Sequence, residues 1–145
     1  MNREIEFRAK RKDNNEWVYG FYYCHKGLNE HYILPIDETS FYNGIPIIKN
    51  FIEVKEETLG QYTGLKDKNE TKIFEGDILR LPSYLFDGEL CVCVYHDTKC
   101  GIGFELIESR KYNIGHDYCI LSDEWEDFEV VGNIYDNPEL LQETE

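Results

Sequence analysis

The stretch GQYTGLKDKNETKIFEGDILRL, which runs from Gly60 to Leu81, decides the expected fold of this chain. Two glycines, Gly60 and Gly64, enclose an aromatic residue, a polar turn follows, and an acidic-Gly-Asp step at Gly76 divides the apolar run after it. Glycine, asparagine and aspartate tolerate the backbone angles of tight turns. The stretch therefore predicts short strands joined by turns, and we interpret its polar residues as backbone-bending rather than catalytic.

The composition favours the same class of fold. The chain has 145 residues with 11 Tyr, 8 Phe and 2 Trp, and its only alanine is Ala9. Aromatic and β-branched residues suit a pleated, half-buried surface, whereas alanine favours helices. This length fits one domain or two small subdomains, and it can bury a sizeable core.

The N-terminal segment predicts a β-hairpin over residues 4–24. Ile5, Phe7 and Ala9 alternate with four charged residues, which are Glu4, Glu6, Arg8 and Lys10. This alternation indicates a strand with one face buried and one face in solvent. Asn14 and Asn15 follow as turn residues, and Gly20 inside the returning strand indicates a bulge or a close backbone approach.

Other local signals mark further turns. Pro35 points to a strand end or sheet edge, and Asn43-Gly44 is a strong signal for a tight hairpin turn. One helical turn is expected near 56–59. Near the C-terminus, Asn137 and Pro138 have the residue types of a helix N-cap and a first helical position.

Charge is distributed unevenly along the chain. Residues 1–72 hold 11 Lys and Arg against 12 Asp and Glu, whereas residues 73–145 hold 4 against 17. An acidic half disfavours direct binding to nucleic acid, which needs a basic face. It is typical of a well-solvated surface or of a surface for a basic partner. The basic run at 8–12 could instead meet the acidic half of a second copy, giving a homo-oligomer.

Nothing in the sequence predicts a membrane segment or a secretion signal. No run of 18 apolar residues occurs, and the N-terminus lacks the apolar core of a signal peptide. We expect a cytoplasmic protein whose five cysteines, at positions 24, 91, 93, 100 and 119, stay reduced.

One cluster has the residue types of a zinc site. Cys91, Cys93, His96 and Cys100 lie within ten residues. However, the C-x-C spacing on a strand bends poorly around an ion, and cysteine is a common buried residue. We favour buried cysteines. No phosphate-binding loop and no nucleophile motif occur, so no catalytic residue, metal or cofactor is predicted.

An acidic loop surrounds the second tryptophan. Its members are Asp123, Glu124, Trp125, Glu126 and Asp127. A charge run of this kind is usually a solvated loop, but an aromatic residue among carboxylates could anchor a basic partner. These five residues are the predicted partner-binding site.

Three stretches resemble the YopX family of phage and prophage proteins. They are REIEFRAK at 3–10, the stretch at 60–81, and VVGNIYDNPELL at 130–141. The resemblance implies an all-β fold with a small SH3-like barrel, and it carries no activity over to this chain. Family members usually have Asn-Gly where this chain has Asn69-Glu70. A glutamate that adopts the left-handed conformation costs about 1 kcal/mol.

These observations combine into one expectation. The fold is all-β, with an N-terminal β-hairpin subdomain at 1–60 packed with a small SH3-like barrel at 61–145 that ends in a short helix. The expected function is a non-enzymatic protein–protein interaction or regulatory module that binds a host or phage protein. The alternative is an acidic mimic of DNA that inhibits a host DNA-binding enzyme.

Overall fold

The structure is a computed structural model that describes residues 4–35, 39–48, 50–86, 88–96, 101–107, 117–118 and 127–142. Strands dominate these residues and pair antiparallel throughout, so the predicted all-β class is confirmed. The chain divides into two compact units, Met1–Tyr62 and Thr63–Glu145. None of the described helices is long and apolar enough to cross a membrane.

The first unit is built on one antiparallel sheet. Its strands are β1 (Phe7–Lys10), β2 (Trp17–His25), β3 (Glu30–Pro35), β4 (Thr39–Tyr42), β5 (Ile45–Ile48), β6 (Ile52–Glu53) and the start of β7 (Gly60–Lys66). Within this unit the strand order of the main sheet is β6-β3-β2-β1-β7, and β4 pairs only with β5 as a separate hairpin. A 3-10 helix at Glu56–Thr58 is the helical turn expected there.

The predicted N-terminal hairpin is confirmed. Ala9 pairs with Val18, and Asn15 in the connecting turn has a positive φ of 64°. Gly20 pairs with Pro35, the last residue of β3, and a Cβ atom at Gly20 would lie 1.9 Å from the Leu34 carbonyl oxygen. The close backbone approach predicted at Gly20 is therefore present, and it excludes any side chain at this position.

The solvent face predicted for β1 is wrong. Ala9 joins Val18, Ile33 and Val54 in the core of the first unit. Arg8 and Lys10, on the opposite side of the strand, are also buried. Their positive groups lie over the ring of Trp17, 4.7 Å and 5.4 Å from its centroid. An aromatic ring can cover the aliphatic part of an Arg or Lys side chain while the positive group keeps a favourable contact with the ring. The alternation of charged and apolar residues was therefore a wrong guide to which side of this strand is exposed.

The second unit contains the remaining elements. They are the rest of β7, β8 (Lys72–Phe74), β9 (Asp77–Arg80), a short helix α1 (Ser83–Phe86), β10 (Leu90–His96), β11 (Gly101–Leu106), β12 (Asp117–Tyr118), β13 (Glu129–Asn133) and a 3-10 helix at Pro138–Leu141. Five of them form a sheet of order β12-β11-β10-β9-β13. Its two end strands do not pair with each other, so the described strands form an open sheet and not the closed small barrel that the family resemblance implies.

Two apolar clusters lie in the second unit. One contains Ile73, Leu79, Leu81, Cys91, Cys93, Phe104 and Phe128. The other is centred on Ile78, Val92 and Ile107. Adjacent residues of β9 and β10 enter different clusters, because successive side chains point to opposite sides of a strand. Both faces of β10 are therefore covered around residues 91–93, as its continuous apolar run predicts.

The C-terminal segment adopts the four-residue 3-10 helix with Pro138 at its start. Asn137 occupies the cap position, but its side chain makes no capping hydrogen bond. Its Oδ1 atom instead accepts a hydrogen bond from the Asn133 backbone N–H at 3.3 Å.

Candidate functional site

Of the predicted acidic site, only Asp127 lies within the described residues; Asp123, Glu124, Trp125 and Glu126 lie outside them. Asp127 Oδ2 accepts a hydrogen bond from the hydroxyl of Tyr84, a side chain that is 69% exposed. The pair borders an open cleft of about 350 Å³ in the second unit.

This cleft carries charges of both signs. Its lining includes Lys68, Arg80 and Glu129 beside Tyr84 and Asp127. Lys68 Nζ lies 3.0 Å from Glu129 Oε2 and forms an ion pair with it. Two cations and two carboxylates share the cleft, so it is much less acidic than the net charge of the second unit would suggest.

The polar residues of the 60–81 stretch bend and fasten the backbone, as their types predict. Asp67 is buried, and its Oδ1 accepts hydrogen bonds from the backbone N–H groups of Asn69 (2.8 Å) and Thr71 (2.9 Å). Asp77 is buried too, and its Oδ2 accepts from Phe74 N at 2.8 Å. Both carboxylates accept hydrogen bonds from backbone N–H groups of turns.

The stretch also binds the segment at 130–141 that carries part of the family resemblance. Asp67 Oδ2 accepts a hydrogen bond from Val130 N at 2.9 Å. The Gly76 carbonyl accepts from Ile134 N, and the Gly76 N–H donates to the Cys93 carbonyl, both at 2.9 Å. Gly76 has φ of 85°, which favours glycine. The stretches at 60–81 and 130–141, which both carry the family resemblance, are thus connected by hydrogen bonds.

Two members of the cysteine cluster have side chains that the structure describes. Cys91 and Cys93 both point into the apolar core of the second unit and are fully buried. Burial raises the pKa of the Cys91 thiol far above its ordinary value, which disfavours the thiolate that would bind zinc. The side chain of His96 and all of Cys100 lie outside the described residues. Among the side chains that are described, no group of three His, Cys, Asp or Glu could hold a metal ion.

A buried histidine occurs in the first unit. His31 Nδ1 lies 2.7 Å from the Tyr22 hydroxyl, and its Nε2 lies 3.2 Å from Glu56 Oε2, a contact whose direction is not that of a hydrogen bond. Side chains of the same chain thus approach both ring nitrogens. We interpret His31 as a core histidine held by its neighbours.

One feature that the sequence reading missed is a row of exposed aromatic rings on β2. Tyr19, Phe21 and Tyr23 alternate along the strand and are 43%, 52% and 50% exposed. Phe51 is 54% exposed, and its ring lies 6.0 Å from that of Tyr23 and 6.2 Å from that of Tyr32. We call these five residues, Tyr19, Phe21, Tyr23, Tyr32 and Phe51, the aromatic face. The alternating aromatic letters of WVYGFYY were the signal that could have found it.

Charged groups beside the aromatic face are occupied by partners within the chain. Lys12 Nζ lies 2.6 Å from Glu53 Oε1, and this hydrogen bond raises the pKa of Lys12. Glu30 accepts a hydrogen bond from the Tyr32 hydroxyl at 2.6 Å, which raises the pKa of Tyr32 to about 12. Lys12 and Glu53 therefore compensate each other's charge, the Glu30 carboxylate keeps its charge beside Tyr32, and the aromatic face offers mainly apolar area.

The basic run at 8–12 is consequently not the free patch that the sequence suggested. Arg8 and Lys10 are buried against Trp17, and Lys12 is paired with Glu53. Arg11 Nη2 lies 2.6 Å from Asp13 Oδ2, and the hydrogen-bonded guanidinium lowers the pKa of Asp13. Each of these four cationic side chains contacts another side chain of the first unit.

Comparisons with known proteins agree with this architecture. A family model described as YopX protein matches residues 6–142, and the chain belongs to the YopX family. The fold is similar to that of protein EF1440 from Enterococcus faecalis, a crystal structure with a TM-score of 0.65 and 24% sequence identity. That match covers 97% of this chain and 99% of the other. A comparison with curated proteins finds no match.

Proposed function

We propose that this YopX-family chain is a non-enzymatic protein–protein interaction module that binds its partner through the aromatic face. The observation that best supports this proposal is a group of four aromatic side chains on one side of one sheet, each about half exposed to solvent. They are Tyr19, Phe21, Tyr23 and Phe51. Clustered aromatic side chains exposed in this way are typical of protein interaction sites, where tyrosine and tryptophan supply much of the binding energy.

The chemistry of the partner follows from the charges around the face. Lys12 and Glu53 form an ion pair with each other, which leaves the Glu30 carboxylate as the one uncompensated charge of these three, so charge contributes little to the attraction of a partner. The matching partner is a protein surface that is apolar and aromatic and has little net charge. We expect its contact with the chain to depend weakly on salt.

The non-enzymatic part of the proposal is supported by the fate of the reactive groups. Asp67 and Asp77 hold backbone N–H groups, Cys91 and Cys93 are core residues, and His31 is held by its neighbours. A phage or prophage origin, a cytoplasmic place of action and an SH3-like character of the second unit are further parts of this proposal, and they rest on the family resemblance.

A second candidate uses the acidic loop at 123–127 to bind a basic partner. The second unit holds 7 Lys and Arg against 19 Asp and Glu, and Asp127 with Tyr84 borders an open cleft. Mimicry of DNA is the extreme form of this candidate, and it needs carboxylates spaced along an exposed face. Asp67 and Asp77 cannot contribute because they are buried.

One capture experiment separates these candidates. Tagged wild type is compared with a face variant, Phe21→Ser with Tyr23→Ser, and with a loop variant carrying lysine at positions 123, 124, 126 and 127. A captured protein counts only after it has been purified and titrated. We expect the face variant to lose about 10-fold or more in affinity, which is about 1.4 kcal/mol, and the loop variant to bind like wild type. The reverse pattern would establish the acidic loop as the site.

A further inference from the structure

The first unit carries a second apolar surface, on the hairpin of β4 and β5. This segment, Thr39–Ile48, contains no charged residue, and we call it the arm. Asn43 and Gly44 form its turn with φ of 50° and 77°, as a tight hairpin turn requires. Phe41, Tyr42 and Ile45 are 69%, 68% and 66% exposed, and Ile47 is 39% exposed.

The arm lacks an extensive contact with any other described element of the chain. Tyr42 and Ile45 are directly opposite each other in its register and share one side, while Phe41 lies on the other side. A two-stranded hairpin with nothing packed on it is marginally stable in water. A partner that covers its apolar side chains would therefore stabilise it.

We propose that the arm of one copy packs on the aromatic face of a second copy, and that the contact is reciprocal. This inference rests on the proposed function, since it names the partner of the aromatic face as this same chain. A two-fold arrangement lets each copy supply one arm and receive one arm. The aromatic face is mainly apolar and the arm contains no charged residue, so the two surfaces do not repel each other.

The available area fits a reciprocal contact. Taking roughly 200 Å² for a large side chain, the half-exposed rings of the aromatic face offer about 400 Å². The arm offers about 350 Å² on the same basis, from Tyr42, Ile45 and Ile47, which share one side of the hairpin. One copy thus contributes about 750 Å², close to the area of about 800 Å² that each partner of a standard interface buries. A single arm on a single face would reach only half of that.

Salt dependence distinguishes this contact from one made by charges. An association between the basic run and the acidic half would weaken strongly between about 0.1 M and 1 M salt, because the Debye length falls from about 10 Å to 3 Å. Burial of apolar surface is not screened in this way. The arm–face dimer therefore persists at 1 M salt.

Sedimentation equilibrium of the full chain tests the proposal. The arm variant is Tyr42→Ser with Ile45→Ser, which share one side of the hairpin. The face variant is Phe21→Ser with Tyr23→Ser, and the control is Leu28→Ser, which changes a residue that is 63% exposed in a turn of the same unit. We expect a wild-type dimer, an increase of about 10-fold or more in the dissociation constant for each double variant, and no change for the control.

Mixing the two double variants gives the sharpest result. A mixed pair retains one intact junction, the arm of the face variant on the face of the arm variant, so it should be tighter than either variant alone. Circular dichroism and urea midpoints confirm that each variant folds, and the single variants Ile45→Asp and Tyr23→Asp replace any double variant that does not.

A monomeric wild type at the highest concentration, dissociation by 1 M salt, or variants that associate like wild type would each overturn the self-association. A monomer that still captures another protein through the aromatic face would leave the proposed function standing. A wild type that is monomeric and also captures no other protein through the aromatic face would contradict both proposals.

Discussion

Asp67 and Val130 lie 63 positions apart in the chain, and a hydrogen bond of 2.9 Å joins the Val130 backbone N–H to Asp67 Oδ2. The other oxygen of the same carboxylate holds the turn at Asn69 and Thr71. One buried side chain thus shapes a turn and attaches it to a distant strand. This is why we assign the most recognisable stretch of the sequence to the fold and assign binding to the aromatic face.

Replacement of Asp67 tests that structural role. Asp67→Ala removes an acceptor from three backbone N–H groups, and leaving buried donors unsatisfied costs about 1–3 kcal/mol each at most sites. We expect a loss of about 3 kcal/mol in unfolding free energy, measured by urea denaturation. Asp67→Asn keeps one oxygen but turns a donor toward a second N–H group, so we expect a smaller loss of about 1–2 kcal/mol.

The control for Asp67 is an aspartate whose partner is exposed. Asp13→Ala removes an ion pair with Arg11 on the surface of the first unit, where both side chains meet solvent. Surface ion pairs contribute little, so its denaturation midpoint should match wild type. Equal midpoints for Asp67→Ala and Asp13→Ala would contradict the structural assignment.

Glu70 offers a gain in stability. Its φ is 64°, in the left-handed region, and its side chain forms an exposed ion pair with Lys66. Asparagine adopts this conformation at lower cost than glutamate. We expect Glu70→Asn to raise the unfolding free energy by about 0.5 kcal/mol and Glu70→Gly by a similar amount, since glycine also loses more entropy on folding.

Glu70→Ala is the matched control, because it removes the ion pair and keeps the unfavourable backbone angle. Its stability should not exceed that of wild type in the same denaturation experiment. If alanine stabilised the chain as much as asparagine, the charge of Glu70 and not its backbone angle would be the cause.

Gly20 should tolerate no substitution. A Cβ atom there would meet the Leu34 carbonyl oxygen at 1.9 Å, which forces β2 away from β3. Overpacking of this kind costs about 1–3 kcal/mol or more, so Gly20→Ala should lower the melting temperature by several degrees. Gly27→Ala places a Cβ 3.3 Å from a movable atom of the His25 ring, and it should leave the melting temperature nearly unchanged.

The buried cysteines predict a pattern of thiol labelling. Cys91 and Cys93 lie in the core, and burial raises the pKa of the Cys91 thiol, so neither should react with a thiol reagent at pH 8 in the native protein. Mass spectrometry of peptides should show both labelled only beyond the urea midpoint. Fast native labelling of Cys93, or purified protein that contains about one equivalent of zinc, would support the zinc alternative.

Much of the fold could be predicted from local chemistry. Asn43-Gly44, Gly76 and the Asn14-Asn15 pair are turn residues whose conformations depend on nearby backbone atoms, and they lie where the sequence places them. The continuous apolar run of β10 predicted a strand covered on both sides, and Cys91, Val92 and Cys93 confirm it.

Tertiary packing decided what local chemistry could not. Arg8 and Lys10 look like solvent residues until Trp17, on the neighbouring strand, covers them. The aromatic face was hard to predict for the opposite reason. Tyr19 and Phe21 are residue types that usually lie in a core, but here they are exposed. Closure of a barrel depends on which edge strands meet, and the residues of each strand alone do not determine it.

Site-specific photo-crosslinking tests the central claim, that the aromatic face makes the contact, most directly. A photoreactive phenylalanine derivative replaces Phe21 in one variant and Tyr95, a 52% exposed residue of the second unit, in the other. We predict an abundant adduct from position 21, either with a second copy or with another protein, at about 10-fold the yield from position 95. Equal yields from the two positions, or no adduct from position 21, would contradict the account.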